Sequence, residues 1–419
     1  MYPDNEWQGL MLVVRNARPA AGGRAGAGLT DLLVVDGRVA RCGHAGGFEY
    51  PAGATLLDAR GGLLLPCFAD IHTHIDKSFV IGETGAVYGD LFAAIERMAE
   101  HRAGWTADQV AARMQRALGE AWACGTRALR THLDWFAAAE PVSLAVFEDM
   151  RRRWAGRVEL QAVALTPIDL LAEPQVARDI ARRVAAAGAI MGGFVYRQPS
   201  AATGLELLFR AAADAGLALD IHVDEGLDAD ARGLALIAGL TREFGMAGRV
   251  VCGHACSLAA QPRVEALRTL DACATAGLTL VALPSTNAYL QGSWRGTPVE
   301  RGITLVNEAR AAGVPVCFAT DNVADTFYPY GGYDLIDIFE KAVVLAHLRT
   351  PESWLDAISG LPAQAMGLDH GDAFAVGAPA DWVLFAARDM AGLLSPNGKA
   401  PGNRTLIRNG GIVDVGAAI

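Results

Sequence analysis

Lysine is almost absent from this chain of 419 residues: Lys77, Lys341 and Lys399 are the only three. Its cations are otherwise arginines, and acidic residues outnumber basic ones, giving a formal net charge of −10 and a pI near 5.4. That balance lacks the electrostatic footprint of a polyanion binder, so nucleic acid is not an expected partner. Long apolar runs are missing as well. No segment approaches the roughly 18 consecutive apolar residues of a membrane span. The polar, acidic start MYPDNEWQG also lacks the basic-then-apolar pattern of a secretory signal. Cysteine is sparse, scattered and odd in number: Cys42, Cys67, Cys124, Cys252, Cys256, Cys273 and Cys317, with no CxxC pair. A disulfide framework is therefore excluded, and a reducing cytoplasmic location is expected. Low-complexity tracts and separating linkers are absent too.

Apolar residues are plentiful at 52%, against 20% charged, which suits a compact chain with a large core. The first 65 residues read as short strands joined by Gly-rich turns (MLVVRNARP, DLLVVDGRVARCG, ATLLDARGGLLL), and the last 45 or so repeat that character (PADWVLFAA, RTLIRNGGIVDVG). A small β-sandwich assembled from 1–65 and 373–419 is expected. Between them, strand-like runs at 63–71, 126–132, 157–165, 189–195, 217–222, 250–254, 279–284 and 315–320 alternate with helix-length amphipathic stretches such as 96–122 and 174–187. Eight alternations predict an α/β fold, a (β/α)8 TIM barrel over 66–372. An open doubly wound sheet is the competitor, but it usually carries a Gly-rich phosphate loop after its first strand. Here that place holds His72-Thr73-His74.

Side chains two apart on a strand share a face and lie about 6–7 Å apart along it, so His72 and His74 can share one divalent metal. Two polar residues at a strand end would give the same spacing. Barrel enzymes carry their working residues at the C-terminal strand ends. Of nine histidines, His72, His74, His222 and His254 fall at such ends, as do Glu225 and Asp321. His132 does so too, with packing beside Asp134 as its plainer reading, while His44, His101, His347 and His370 look like ordinary surface or helix residues. Three imidazoles and a carboxylate suit Zn2+ or Fe2+ with a place left for water, whose pKa the metal lowers. Glu225, three residues after His222, is placed to pass protons; the alternative is an acid at the start of the next helix. Cys252 and Cys256, flanking His254, fit the core better than a soft-metal site. Binuclear barrel hydrolases bridge their metals with a modified lysine after strand four. The stretch MGGFVYRQ near 190–200 has none, so one metal is expected.

The stretches DIHTHIDK, GTRALRTHLDW, ALDIHVDEGLDADARG, VVCGHACS and NAYLQG…RGITLVNEARAAGVPVCFATDNVADTFYPYG resemble the amidohydrolase superfamily and, within it, the cytosine deaminase group. The resemblance runs from about residue 10 to 415. Gln291-Gly292, Arg301-Gly302-Ile303-Thr304 and Tyr328-Pro329 carry the narrower likeness. It implies that His72, His74, His222 and Asp321 bind the metal and that Glu225 shuttles a proton to a ring nitrogen. His254 would then orient the attacking hydroxide, and Asp321 would pass a proton to departing ammonia. The implied activity is hydrolytic deamination of a small amino-substituted heterocycle, a cytosine-like pyrimidine or related ring. Two features depart from the group. Pro167 stands where a glutamine holds the pyrimidine's amide edge, and Asn322 and Phe327 replace an aspartate and a tryptophan. Pro167, Gln291, Asn322 and Phe327 are the candidate substrate contacts, and Trp135, Tyr289 and Trp294 are further aromatic candidates. Asp76 and Lys77 are read either as a loop ion pair or as substrate contacts. The rival activities are cleavage of an amide or N-alkylamino C–N bond on the same site, or a non-catalytic scaffold. Nothing in the sequence excludes a homo-oligomer.

Overall fold

The computed structural model describes residues 10–414 apart from 22–23, 26–27, 89–90 and 370, so His370 lies outside the described residues. Two compact units emerge: Met1–Ala69, Ala121–Arg127 and Arg349–Ile419 form one, and Asp70–Glu120 and Ala128–Leu348 the other. The first thus also takes up 66–69, 121–127 and 349–372, which were expected in the barrel.

In the terminal unit the long strand Met11–Ala21 is the hub. Its first half pairs antiparallel with Thr30–Val35 and parallel with Thr55–Asp58. Its second half meets Leu63–Pro66 through Arg18 and Pro19. Strands Trp382–Phe385, Arg404–Arg408 and Gly411–Val413 add on antiparallel from the far end of the chain. The result is one connected nine-stranded sheet drawn from both termini, with Val14, Leu32, Leu64, Trp382 and Ile407 in a common core.

Eight parallel strands build the other sheet: Phe68–Thr73, Thr126–Asp134, Glu159–Leu165, Ile190–Val195, Leu219–Val223, Val250–His254, Thr279–Ala282 and Val316–Phe318. They neighbour one another in chain order, without the reversal a doubly wound sheet requires. A bridge between Thr73 and Asp321, with Asp321 N–H donating to His72 O at 2.9 Å, joins the last strand's end to the first and closes the barrel. Strands one, five and six are buried along their whole length, as expected for strands covered on both faces. On strand four, a Cβ at Gly192 would lie 2.4 Å from Val163 Cγ1, so only glycine lets these strands approach. No helix among the described residues is long and apolar enough to cross a membrane.

Two expectations need correction. The run 63–71 is two strands, one in each sheet. Pro66 ends the first, and the chain is re-anchored by Cys67 N–H to Asp381 O and Phe68 N–H to Gly125 O, both 2.9 Å. The stretch 96–122 is likewise two helices, Leu91–Arg102 and Ala107–Ala123, separated around Gly104.

Candidate active site

Barrel closure decides where the first cluster forms. Thr73 Oγ1 donates to Asp321 O at 2.8 Å, pinning the end of strand eight beside the two histidines of strand one. Asp321 and His254 both hold left-handed backbone, at φ 60° and 69°, an uncommon conformation that directs their side chains. The Nε2 atom of His222 lies 3.1 Å from that of His72 and 3.3 Å from that of His74. Asp321 Oδ1 is 3.2 Å from His74 Nε2 and 3.6 Å from His72 Nε2. All four side chains are at most 4% exposed. The structure thus brings together four residues from strand ends one, five and eight.

Their chemistry fits a cation. Burial, reinforced by neighbouring His132 and His254, holds His72 well below the usual imidazole range. Burial and the adjacent His72 do the same for His222, and burial with Lys77 lowers His74. Neutral imidazoles offer lone pairs, as metal ligands must. Burial raises the Asp321 carboxyl, but its contact with His74, helped by the neighbouring His254, outweighs this and keeps it low. Neither of its buried oxygens accepts a well-formed hydrogen bond. A buried carboxylate without a partner is costly, and a divalent metal would relieve that cost.

His72 can also group with His222 and His254, or with His132 and Asp220. The last set is the poorer one. Arg130 Nη1 already holds Asp220 at 2.8 Å, and His132 lies against His72 with ring centres 4.1 Å apart and planes inclined by 36°. Cys252 and Cys256 join no such group among the described residues, and burial pushes both thiols well up.

Glu225 is buried, its Oε1 3.5 Å from His254 Nδ1. Burial, then the charge of Asp321, raises it well above the usual carboxylate range. The helix-capping role open to it in the sequence falls instead to Asp224, whose oxygens accept the N–H groups of Gly233 and Leu234 at 3.1 and 2.9 Å. His254 is pushed down to about 4, chiefly by burial.

A cavity of about 280 Å3 opens over this cluster. His74, His222, Glu225, His254 and Asp321 lie on its lining. Of the proposed substrate contacts, Pro167, Asn322 and Phe327 line it too, whereas Gln291 does not. The Gln291 amide turns to Glu225 O at 3.4 Å, supporting the loop rather than the cavity. Trp135 is core, and Tyr289 packs against Trp294 outside the lining. Lys77 lines the cavity and pairs with Asp134 at 2.8 Å, while Asp76 accepts the Asp134 N–H. Missed in the sequence are Leu91, Phe92, Ile95, Met98 and Arg102 from the helix Leu91–Arg102. Phe136 and Gln198 from loops, Phe194 from strand four and Asp169 from the short helix Ile168–Leu171 were missed as well.

The residue pattern 178–413 matches the model of the amidohydrolase family. The chain is 38% identical over 387 residues to a pterin deaminase of Rhizobium rhizogenes, covering 92% of this chain and 87% of that protein. This chain belongs to the amidohydrolase family. Its fold matches 5-methylcytosine deaminase of Klebsiella pneumoniae liganded with 5-fluorocytosine (TM-score 0.83, 25% identity, 96% and 97% of the two chains). It also matches N-isopropylammelide isopropylaminohydrolase of Burkholderia multivorans (TM-score 0.79, 28% identity, 96% and 98%). Family membership and the buried His/Asp cluster together support a divalent metal in this amidohydrolase.

Proposed function

We propose that this amidohydrolase is a hydrolytic deaminase of a small amino-substituted heterocycle, with one divalent metal held by His72, His74, His222 and Asp321. The observation that carries the reading is their convergence beneath a cavity whose lining also includes Glu225, a carboxyl that burial raises well above its usual range. A metal bound there lowers the pKa of a water towards neutrality and so supplies a nucleophile. Zn2+ and Fe2+ both accept this donor set, and we propose one of the two. The chain's own groups do the rest. Glu225 donates its proton to a ring nitrogen, making the amino-bearing carbon electrophilic. His254, neutral and fixed by its neighbours, orients the attacking water. Asp321, ionised, takes a proton and passes it towards the leaving amine.

Apolar walls from Phe92, Phe136, Phe194 and Phe327 suit a flat ring, and the volume suits a small one. Pro167 offers neither a donor nor a side-chain acceptor to the ring's amide edge, which weighs against cytosine. The likeness to a pterin deaminase makes pterin our first substrate. The likeness to an N-isopropylammelide hydrolase favours a second reading, loss of an alkylamine from a triazine. Seven free cysteines fit a reducing compartment, and a cytoplasmic location belongs to the same proposal.

A turnover panel of pterin, cytosine, N-alkylaminotriazines and simple amides tests the reading. Release of ammonia from pterin is the expected result. Alkylamine release from the triazines alone would favour the second reading, and carboxylate formation from amides alone would overturn both.

A further inference from the structure

Beyond the cluster, the cavity wall carries a short relay of charge. Lys77 donates to Asp134 Oδ1 at 2.8 Å, and Arg102 Nη1 donates to Asp134 Oδ2 at 2.7 Å. The Lys77 side chain is 4% exposed and that of Arg102 20%, so Arg102 is the outer member. Two cations share the carboxylate of Asp134, and Asp76 sits behind it on the Lys77 side, which leaves Arg102 as the cation facing the outer cavity. Both oxygens of Asp134 are used, yet Arg102 spends only Nη1 on it. Its guanidinium lies 3.8 Å from the ring centre of Phe136, which fixes the plane of the fork. The other acid at the outer lining, Asp169, is engaged by Ser200 Oγ and does not take up Arg102. Leu91, Phe92 and Met98 line the same cavity with apolar surface, where a charge-assisted bond is worth more than in water.

We propose that Arg102 reads an anionic substituent on the edge of the substrate remote from the reacting carbon, making carboxylated amino-heterocycles the favoured substrate class. The proposal rests on the deaminase reading, because it takes the His/Asp cluster as the reacting end. The remaining N–H groups of Arg102 match a carboxylate two-pronged, whereas a lysine in the same place would act as a point charge. Lys77, deep and committed to Asp134, keeps the relay in place without touching the substituent.

The test compares pterin with pterin-6-carboxylate in metal-loaded protein, for the wild type, Arg102→Met and Arg102→Lys. Both kcat/KM and Kd, the latter by fluorescence titration, are measured. The wild type is expected to favour the carboxylated compound by about tenfold or more. Arg102→Met should bring the ratio of the two compounds near one, and Arg102→Lys should restore part of it. A purely structural role would weaken both compounds alike and leave the ratio unchanged, which would overturn the proposal. So would a wild type that does not discriminate. If neither compound is deaminated, the deaminase reading fails, while the Kd ratio still decides the role of Arg102.

Discussion

Asn287 holds His254 by its inner nitrogen: Nδ2 of the amide lies 3.0 Å from Nδ1 of the imidazole, both side chains being buried. With the amide donating, Nδ1 is an acceptor and the proton of the neutral ring sits on Nε2, the atom with no protein partner. The contact fixes both the tautomer and the angle of the ring.

Asn287→Leu is therefore expected to lower kcat by roughly 10–100-fold, with a smaller change in KM and with metal content retained. Steady-state kinetics and metal analysis of the same preparation check this. An unchanged kcat would remove His254 from the account.

Gly253, paired with His222 across strands five and six, gives the His72 ring its room. A Cβ there would stand 2.7 Å from His72 Cε1 and 3.0 Å from its Nδ1. Gly253→Ala should displace that ring and weaken metal binding by roughly 10–100-fold in chelator competition. Equal affinity in the two proteins would show that His72 is not held by this contact.

Lys77 and Asp134 form a buried pair, and removing Asp134 strands Lys77, whereas Arg102 still holds Asp134 when Lys77 is lost. Asp134→Asn should cost roughly 3–5 kcal/mol in urea unfolding at neutral pH, with much of it recovered in Lys77→Met/Asp134→Asn. The pair also carries a pH signature. Burial raises the Asp134 carboxyl, but Lys77 and then Arg102 overcome this and hold it at about 2, below its ordinary value of 3.8. A depressed carboxyl stabilises the fold above its unfolded pKa and loses that contribution as pH falls through its folded value. The wild type should thus lose its advantage over the double variant between about pH 4 and pH 2. A difference in stability constant across that window would contradict the assignment.

Pro167 has φ −56° and ψ 135°, a backbone any residue adopts. Pro167→Gln should fit and restore an amide to the cavity wall. The expected outcome is a rise of about tenfold or more in kcat/KM for cytosine relative to pterin. A ratio that does not move would mean that this wall does not read the ring's edge.

The barrel was legible because fully buried strands read as apolar runs, and the cluster because His72, His74, His222 and Asp321 stand where those runs end. The capping partner of helix Gly233–Glu243 was not, because Asp224 and Glu225 are adjacent acids and only the turn of the chain separates their directions. The cavity wall was illegible for a different reason. Leu91, Ile95 and Met98 repeat at helical spacing, the pattern of any helix packed on a core. Whether that face meets a ring or other side chains depends on where the helix lies in space. Gln291 misled in the opposite way: it belongs to a recognisable motif, yet its amide is spent on a backbone carbonyl.

The most direct test of the account is metal stoichiometry in the wild type and in His222→Ala, each shown to be folded by circular dichroism. One divalent ion per chain in the wild type and almost none in the variant is the predicted result. Two ions per chain, or an occupancy that survives the loss of His222, would contradict a single metal held by His72, His74, His222 and Asp321.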